Sequence, residues 1–311
     1  MTLSIDHELD AALNTDNKIV LAQEKLNKYD ICTVKTPEEV GKMREAGRIA
    51  GLIFDEIGEQ IRPGITGREL NGIAFDLMIN KYQVTIDRTD LSGVTHNELA
   101  SISLSRNFVS AFGELDDIPL RKGEIVGLDI SFKKDGWCAD TTRFWMVGQE
   151  CSRLARTLLA VAYEATWVGI NMVKPGVHIG SIGHAVETYV ESRGFTIMKT
   201  PGQFGHSIGR QHNEGLLIPF YGCMPYTGHI LEEGMVITIE PGVTYGDAFG
   251  FRLKNAIGSM VTNHRVLGCY WEHVVAVTSQ GGEVLDLRAG ESEYPDPRMY
   301  GYTHNTNYPH Y

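Results

Sequence analysis

The feature that most constrains this chain is an internal repeat. Arg62-Pro63-Gly64-Ile65 lies on Lys174-Pro175-Gly176-Val177 at an offset of about 112 residues. Each Pro-Gly turn is preceded by one helical pattern and followed by another, with apolar residues recurring at three- and four-residue steps. The preceding pair is Met43 to Gln60 and Ala155 to Met172; the following pair is Arg68 to Tyr82 and Ile179 to Arg193. Strand-like sequence comes next in both copies, Ile125 to Val147 in the first and Met235 to Val243 with Cys269 to Thr278 in the second. The pattern predicts an α+β chain in which duplicated helix-helix-sheet halves fold into one domain with a cleft between them. Chance similarity of two Pro-Gly turns is the plain alternative.

The repeat sets the boundaries. Residues 1–35 are an acidic, weakly amphipathic N-terminal extension, and Thr36-Pro37-Glu38-Glu39 then opens a helix, with Thr36 as cap and Pro37 in the first turn. The main folded domain is expected over 36–287. Residues 288–311 lose periodicity and gain Pro, Tyr and Asn, so a tail that is extended or wraps a neighbour is expected there, with His304 and His310 solvated.

Composition narrows the function. With 42% hydrophobic and 22% charged residues the chain is an ordinary globular protein, and its net charge of −11 argues against nucleic acid or an anionic membrane as partner. The most apolar run, Thr157 to Val173, contains Glu164 and Asn171 and reads as a packed helix. Asp6, Glu8 and Asp10 interrupt any secretory leader. Five cysteines (Cys32, Cys138, Cys151, Cys223, Cys269) are odd in number and scattered, as suits reduced thiols in the cytoplasm.

The chemistry gathers around Asp135-Gly136, a two-residue hairpin signal between the strand-like runs Ile125 to Phe132 and Trp137 to Trp145. With that loop, Lys134 pairs with Trp137 and Asp129 with Thr142. Asp140 then becomes a diagonal neighbour of Asp129 on the same face, roughly 7–8 Å away. Two carboxylates so placed repel unless solvent or a cation lies between them. Further hard ligands stand in the second half: His206 in Gly205-His206-Ser207-Ile208-Gly209, Glu240 ending the strand Met235 to Ile239, and Glu272 in Trp271-Glu272-His273. Four carboxylates and one imidazole suit two divalent ions, Mn, Fe(II), Co or Zn, about 3.5–4 Å apart. Paired metals lower the pKa of a bridging water and make hydroxide available near neutral pH.

These residues resemble the methionine aminopeptidases and the wider creatinase/prolidase-type, or pita-bread, family over roughly residues 33–287. The carrying motifs are Gly127-Leu128-Asp129-Ile130, Asp135-Gly136-Trp137-Cys138-Ala139-Asp140-Thr141, Gly205-His206-Ser207-Ile208-Gly209-Arg210, Thr238-Ile239-Glu240-Pro241 and Trp271-Glu272-His273. The resemblance implies a curved antiparallel sheet enclosing two metals, with Asp140 and Glu272 bridging both, Asp129 on one, and His206 and Glu240 completing the other. It implies that Glu240 also shuttles a proton from the attacking water to the leaving amine. His212 would hydrogen-bond the scissile carbonyl, and His96 in Thr95-His96-Asn97-Glu98 is a further catalytic histidine. The expected activity is that of an aminopeptidase acting on a peptide N-terminus or a small amide or amino-acid-derived substrate, as a monomer or homodimer.

Two positions depart from the family pattern. Phe112, beside Gly113, stands where such aminopeptidases carry a histidine that contacts the substrate amide, and Tyr270 stands where methionine aminopeptidases usually have glutamine. Thr95, Glu98 and Gln211 fall where the methionine side-chain pocket aligns and do not make an apolar slot; substrate contacts are expected at Phe112, Thr95, Gln211 and Tyr270. Losing a histidine that steadies the transition state lowers turnover by about 10²–10³. A family member repurposed for a specialised small-molecule or peptide reaction is therefore an alternative, as is a non-catalytic binding scaffold. A third reading takes Gly205 to Gly209 as a G-x-S-x-G nucleophile elbow, with Ser207, Asp247 and His273 as its triad; it requires a helix after Gly209.

Overall fold

In a computed structural model of the chain, the described residues are 32–86, 101–111, 113, 115–148, 150–199, 204–246, 250–252, 259–289 and 291. Helix α1, Pro37–Gly58, starts on a reciprocal cap: the Thr36 hydroxyl accepts from the Glu39 backbone N–H at 3.3 Å while the Glu39 carboxylate accepts from the Thr36 N–H at 3.0 Å. Its buried stripe, Met43, Ala46, Ile49, Ala50, Ile53, Phe54 and Ile57, follows the helical period and faces the first-half sheet. Helix α2, Gly67–Phe75, is capped in the same way by Thr66 and Glu69 and runs on into a π-type stretch, Asp76–Lys81. Helix α3, Arg153–Met172, and helix α4, Ile179–Ser192, pack against one another in the second half.

The strands are antiparallel throughout. The first half supplies β1 (Thr85–Ile86), β2 (Ser103–Arg106), β3 (Val109–Ala111), β4 (Ile125–Lys134) and β5 (Trp137–Met146). The second half supplies β6 (Thr196–Ile197), β7 (Gly205–His206), β8 (Leu217–Ile218), β9 (Val236–Ile239), β10 (Val243–Thr244) and β11 (Gly250–Arg252). It ends with β12 (Met260–Thr262), β13 (Gly268–Cys269), β14 (His273–Thr278) and β15 (Gly281–Val284). Strands β4 and β5 form the long hairpin, and β14 lies between β9 and β15. The predicted register is the observed one: Lys134 pairs with Trp137, Asp129 with Thr142, and Ser131 with Asp140. Asp135 and Gly136 sit at φ 51° and 82°, as a two-residue primed turn demands of both its central residues.

The duplication extends beyond the helices. Gly64 donates to the Leu120 carbonyl and Leu120 returns a bond to Ile65, at 2.8 and 2.7 Å; Gly176 and Leu231 repeat the exchange with Val177, both at 2.8 Å. Counting forward alike from Leu120 and from Leu231 reaches Gly123 and Gly234, both at positive φ, and then Asp129 and Glu240. The two carboxylates thus hold equivalent places in the two halves. The halves meet where Thr142 of β5 bridges Glu272, whose N–H donates to the Thr142 carbonyl at 3.2 Å.

Beyond β15 the chain crosses α1 at Gly47, where an added Cβ would lie 2.3 Å from the Leu285 carbonyl oxygen. That crossing buries Arg288 and Glu291 beneath the junction of the halves. Among the described residues no helix is long and apolar enough to cross a membrane.

Candidate metal centre

The β4–β5 hairpin and the residues flanking the paired ends of β9 and β14 bring acidic side chains to one place. A ligand atom from each of Asp129, Asp140 and Glu272 lies within 4.8 Å of the other two, and the same holds for His206, Glu240 and Glu272. Asp140, His206 and Glu272 are buried, and Asp129 and Glu240 are partly so. The His206 Nδ1 lies 3.3 Å from the Ser207 carbonyl oxygen, which leaves Nε2 to face Asp140 Oδ2 at 3.4 Å and Glu240 Oε1 at 3.8 Å.

Electrostatics show how unfavourable this cluster is without positive charge. Burial, and then the charges of Asp140 and Glu240, push the Asp129 carboxyl well above its ordinary range, against the hydrogen bond from Tyr270. Burial pushes Glu240 up to about 7, with Asp140 adding to the effect and His206 opposing it. Glu272 is driven well above its usual value by burial and by the charges of Asp140, Glu240 and Asp129. For His206, burial works against protonation, but the hydrogen bond to Asp140 and the nearby carboxylates outweigh it and raise the pKa. Four oxygen donors and one nitrogen, mutually repelling and desolvated, fit the requirements of divalent cations of hard or borderline character.

Hydroxyl groups hold the carboxylates and the imidazole in place. Thr142 donates to Glu272 Oε2 at 2.8 Å, Thr238 donates to Glu240 Oε1 at 2.8 Å, and the Thr238 oxygen accepts the His206 N–H at 2.9 Å. Sequence reasoning passed over both threonines, although a signal was there: Thr142 lies two residues from Asp140 on β5, and Thr238 lies two residues from Glu240 at the end of β9, so each shares the face of an acidic residue. Tyr270 is buried and donates to Asp129 Oδ2 at 3.1 Å, with its ring edge-on to Phe144 at 5.7 Å. Burial, followed by the charges of Asp129 and Glu272, keeps its phenol protonated well above the ordinary tyrosine range.

The His212 ring enters the cluster from the loop after β7. Its Nδ1 is 2.9 Å from Ser131 Oγ and 3.4 Å from Asp140 Oδ2, and its ring centre is 4.9 Å from that of His206. Gln211, expected at the substrate pocket, is exposed. Thr95, His96 and Phe112 lie outside the described residues, as do Asp247, His304 and His310.

The nucleophile-elbow reading is overturned. No helix follows Gly209; the chain turns back into β8, and the buried Ser207 Oγ accepts the Leu216 N–H at 3.1 Å. His273 faces Asp286 Oδ1 at 3.0 Å and Glu291 Oε2 at 3.7 Å.

The profile of Metallopeptidase family M24 matches residues 41–279, a span that contains all five predicted ligands. The methionine aminopeptidase of Salmonella typhimurium is 33% identical over 261 residues, covering 84% of this chain and 96% of the relative. The chain belongs to metallopeptidase family M24. Crystal structures agree: methionine aminopeptidase from Rickettsia prowazekii matches with a TM-score of 0.77 at 30% identity, covering 83% of this chain and 100% of that one. Prolidase from Pyrococcus furiosus, at 21% identity and a TM-score of 0.64 over 83% of this chain and 66% of its own, shares the fold alone. This M24 chain is thus an α+β enzyme of the pita-bread type and a hydrolase of the metal-dependent aminopeptidase class.

Proposed function

We propose that this M24 enzyme releases an N-terminal residue from a peptide, or cleaves a related small amide, with two divalent cations held by Asp129, Asp140, His206, Glu240 and Glu272. The observation that carries the reading is the convergence of donors from both halves on one desolvated, mutually repelling cluster. Asp129, Asp140 and Glu272 would hold one cation, and His206 and Glu240 with the same Asp140 and Glu272 would hold the other. Bound cations would supply Lewis acidity, polarising a water and the scissile carbonyl.

The remaining roles belong to side chains of this protein. Glu240, steadied by Thr238, takes the proton of the attacking water and passes it to the leaving amine nitrogen. His212, placed by Ser131 and Asp140, donates a hydrogen bond to the carbonyl oxygen as negative charge grows on it. Five free cysteines support a reducing, cytoplasmic setting. Protein treated with chelator is expected to lose peptidase activity and regain it with Mn, Co or Fe(II); full activity after complete metal removal rejects the proposal.

A second reading, a family member turned to a specialised peptide or small-molecule substrate, is favoured by Tyr270, whose hydroxyl binds Asp129 at the centre of the cluster. A panel of peptides separates the two. Efficient release of Met from Met-Ala peptides removes the specialised reading.

A further inference from the structure

His206 is fixed by a strand, but His212 stands in a loop, and something must hold that loop to the sheet. Within it, Ser207 and Leu216 exchange bonds, the Ser207 N–H donating to the Leu216 carbonyl at 2.8 Å, and the Glu214 N–H donates to the Ser207 carbonyl at 2.9 Å. The Glu214 side chain is only 8% exposed and accepts three bonds from a segment far away in sequence. Thr33 Oγ1 donates to Oε1 at 2.7 Å, the Thr33 N–H to Oε2 at 3.1 Å, and Lys35 Nζ to Oε2 at 2.7 Å.

The donors are themselves anchored. The Lys35 N–H donates to the Gly234 carbonyl at 2.7 Å, and Gly234 in turn donates to Val277 of β14 at 2.9 Å. The fit is close enough that an added Cβ at Gly209 would lie 2.3 Å from Glu214 Oε1 and 2.9 Å from Lys35 Cε. The loop bearing His212 is therefore referenced, through one buried ion pair, to the segment that leads into α1.

We propose that Lys35 and Thr33 are positioning residues for His212, acting through Glu214. The inference rests on the carbonyl-binding role given to His212 above. A buried carboxylate that loses its ammonium partner must find water or another donor, and the loop then shifts to supply one. His212 moves with it, off Ser131 and Asp140, while Asp129, Asp140 and His206 on β4, β5 and β7, and Glu240 and Glu272 flanking β9 and β14, keep their places.

The test is a mutant cycle on the metal-loaded full chain with Lys35→Met, Lys35→Arg, His212→Ala and the pair Lys35→Met/His212→Ala. Lys35→Met is expected to lower kcat about tenfold or more, with KM and bound metal within about twofold of the parent. Lys35→Arg is expected to restore most of the loss, and the pair to be no slower than His212→Ala alone. Multiplying effects in the pair, or a Lys35→Met protein with lowered Tm and full kcat, would overturn the proposal.

If Lys35→Met does not fold, Thr33→Val, which removes only the Oγ1 bond, takes its place with an expected loss of about threefold; unchanged kcat there counts against the proposal. A readout independent of turnover is the imidazole Nδ1 resonance of His212 in nitrogen-15 spectra. Displacement of that resonance in the Lys35 or Thr33 variant supports the proposal even where no peptide is cleaved, and an unmoved resonance overturns it.

Discussion

Removing the cations and then varying pH probes the ligand cluster directly. Glu240 is pushed from 4.5 to about 7 in the metal-free protein, mainly by burial, and Asp129 and Glu272 move in the same direction. A carboxyl whose folded pKa exceeds its unfolded one holds a proton that the unfolded chain has already released. Its contribution is therefore full below pH 4.5 and is lost as the pH rises towards about 7. His206, also raised, acts with the same sign. The gap at Glu240 alone corresponds to about 3 kcal/mol at ~1.4 kcal/mol per pH unit. For a domain of this size that translates into a Tm lower by on the order of 10 °C at about pH 7.5 than at about pH 5. Calorimetry of chelator-treated protein across this range measures it, and a Mn-loaded sample is the control, since bound cations neutralise the carboxylates and flatten the dependence. A metal-free protein whose Tm is constant or rises with pH refutes the reasoning.

Three other outcomes are expected. Thr142→Val removes the donor to Glu272 Oε2 and should weaken cation binding by about 10–100-fold, as read by titration calorimetry; unaltered affinity would show that Glu272 needs no such support. Arg288→Met strands Glu291, a carboxylate held down to about 2 because Arg288 and His273 outweigh its burial; denaturant melts should show a loss of about 3–5 kcal/mol, and parental stability would exclude the pairing as a brace. Gly47→Ala drives a methyl group into the Leu285 carbonyl and should cost about 1–3 kcal/mol in the same melts, unless α1 and the crossing segment are looser than packed backbone allows.

Local patterns carried much of this protein. Asp135-Gly136 defines the hairpin and its register, and that register alone sets Asp140 diagonal to Asp129. The capping signal at Thr36 and the paired Pro-Gly turns located α1 and the duplication. What stayed hidden has a common physical cause. Glu214 meets Thr33 and Lys35 across roughly 180 residues, and Arg288 reaches Thr142 across 146 residues; such pairings leave no trace in a periodicity window. Arg288 and Glu291 are also polar residues just past the last regular strand, where composition suggests an extended tail, and the close crossing over Gly47 and Gly51 carries them into the interior. The hydroxyls of Thr142 and Thr238 were overlooked because a threonine in a strand needs no special explanation.

The equivalence of Asp129 and Glu240 has a consequence for how the enzyme is assembled. The first half offers Asp129 and Asp140 and the second His206, Glu240 and Glu272, so a pair of cations sharing these side chains would be held fully only while the two are docked, and its binding energy would resist their separation. Occupancy of the centre should then report on how firmly the halves are closed. A substitution that loosens the Thr142–Glu272 junction would release the ions before any helix melts.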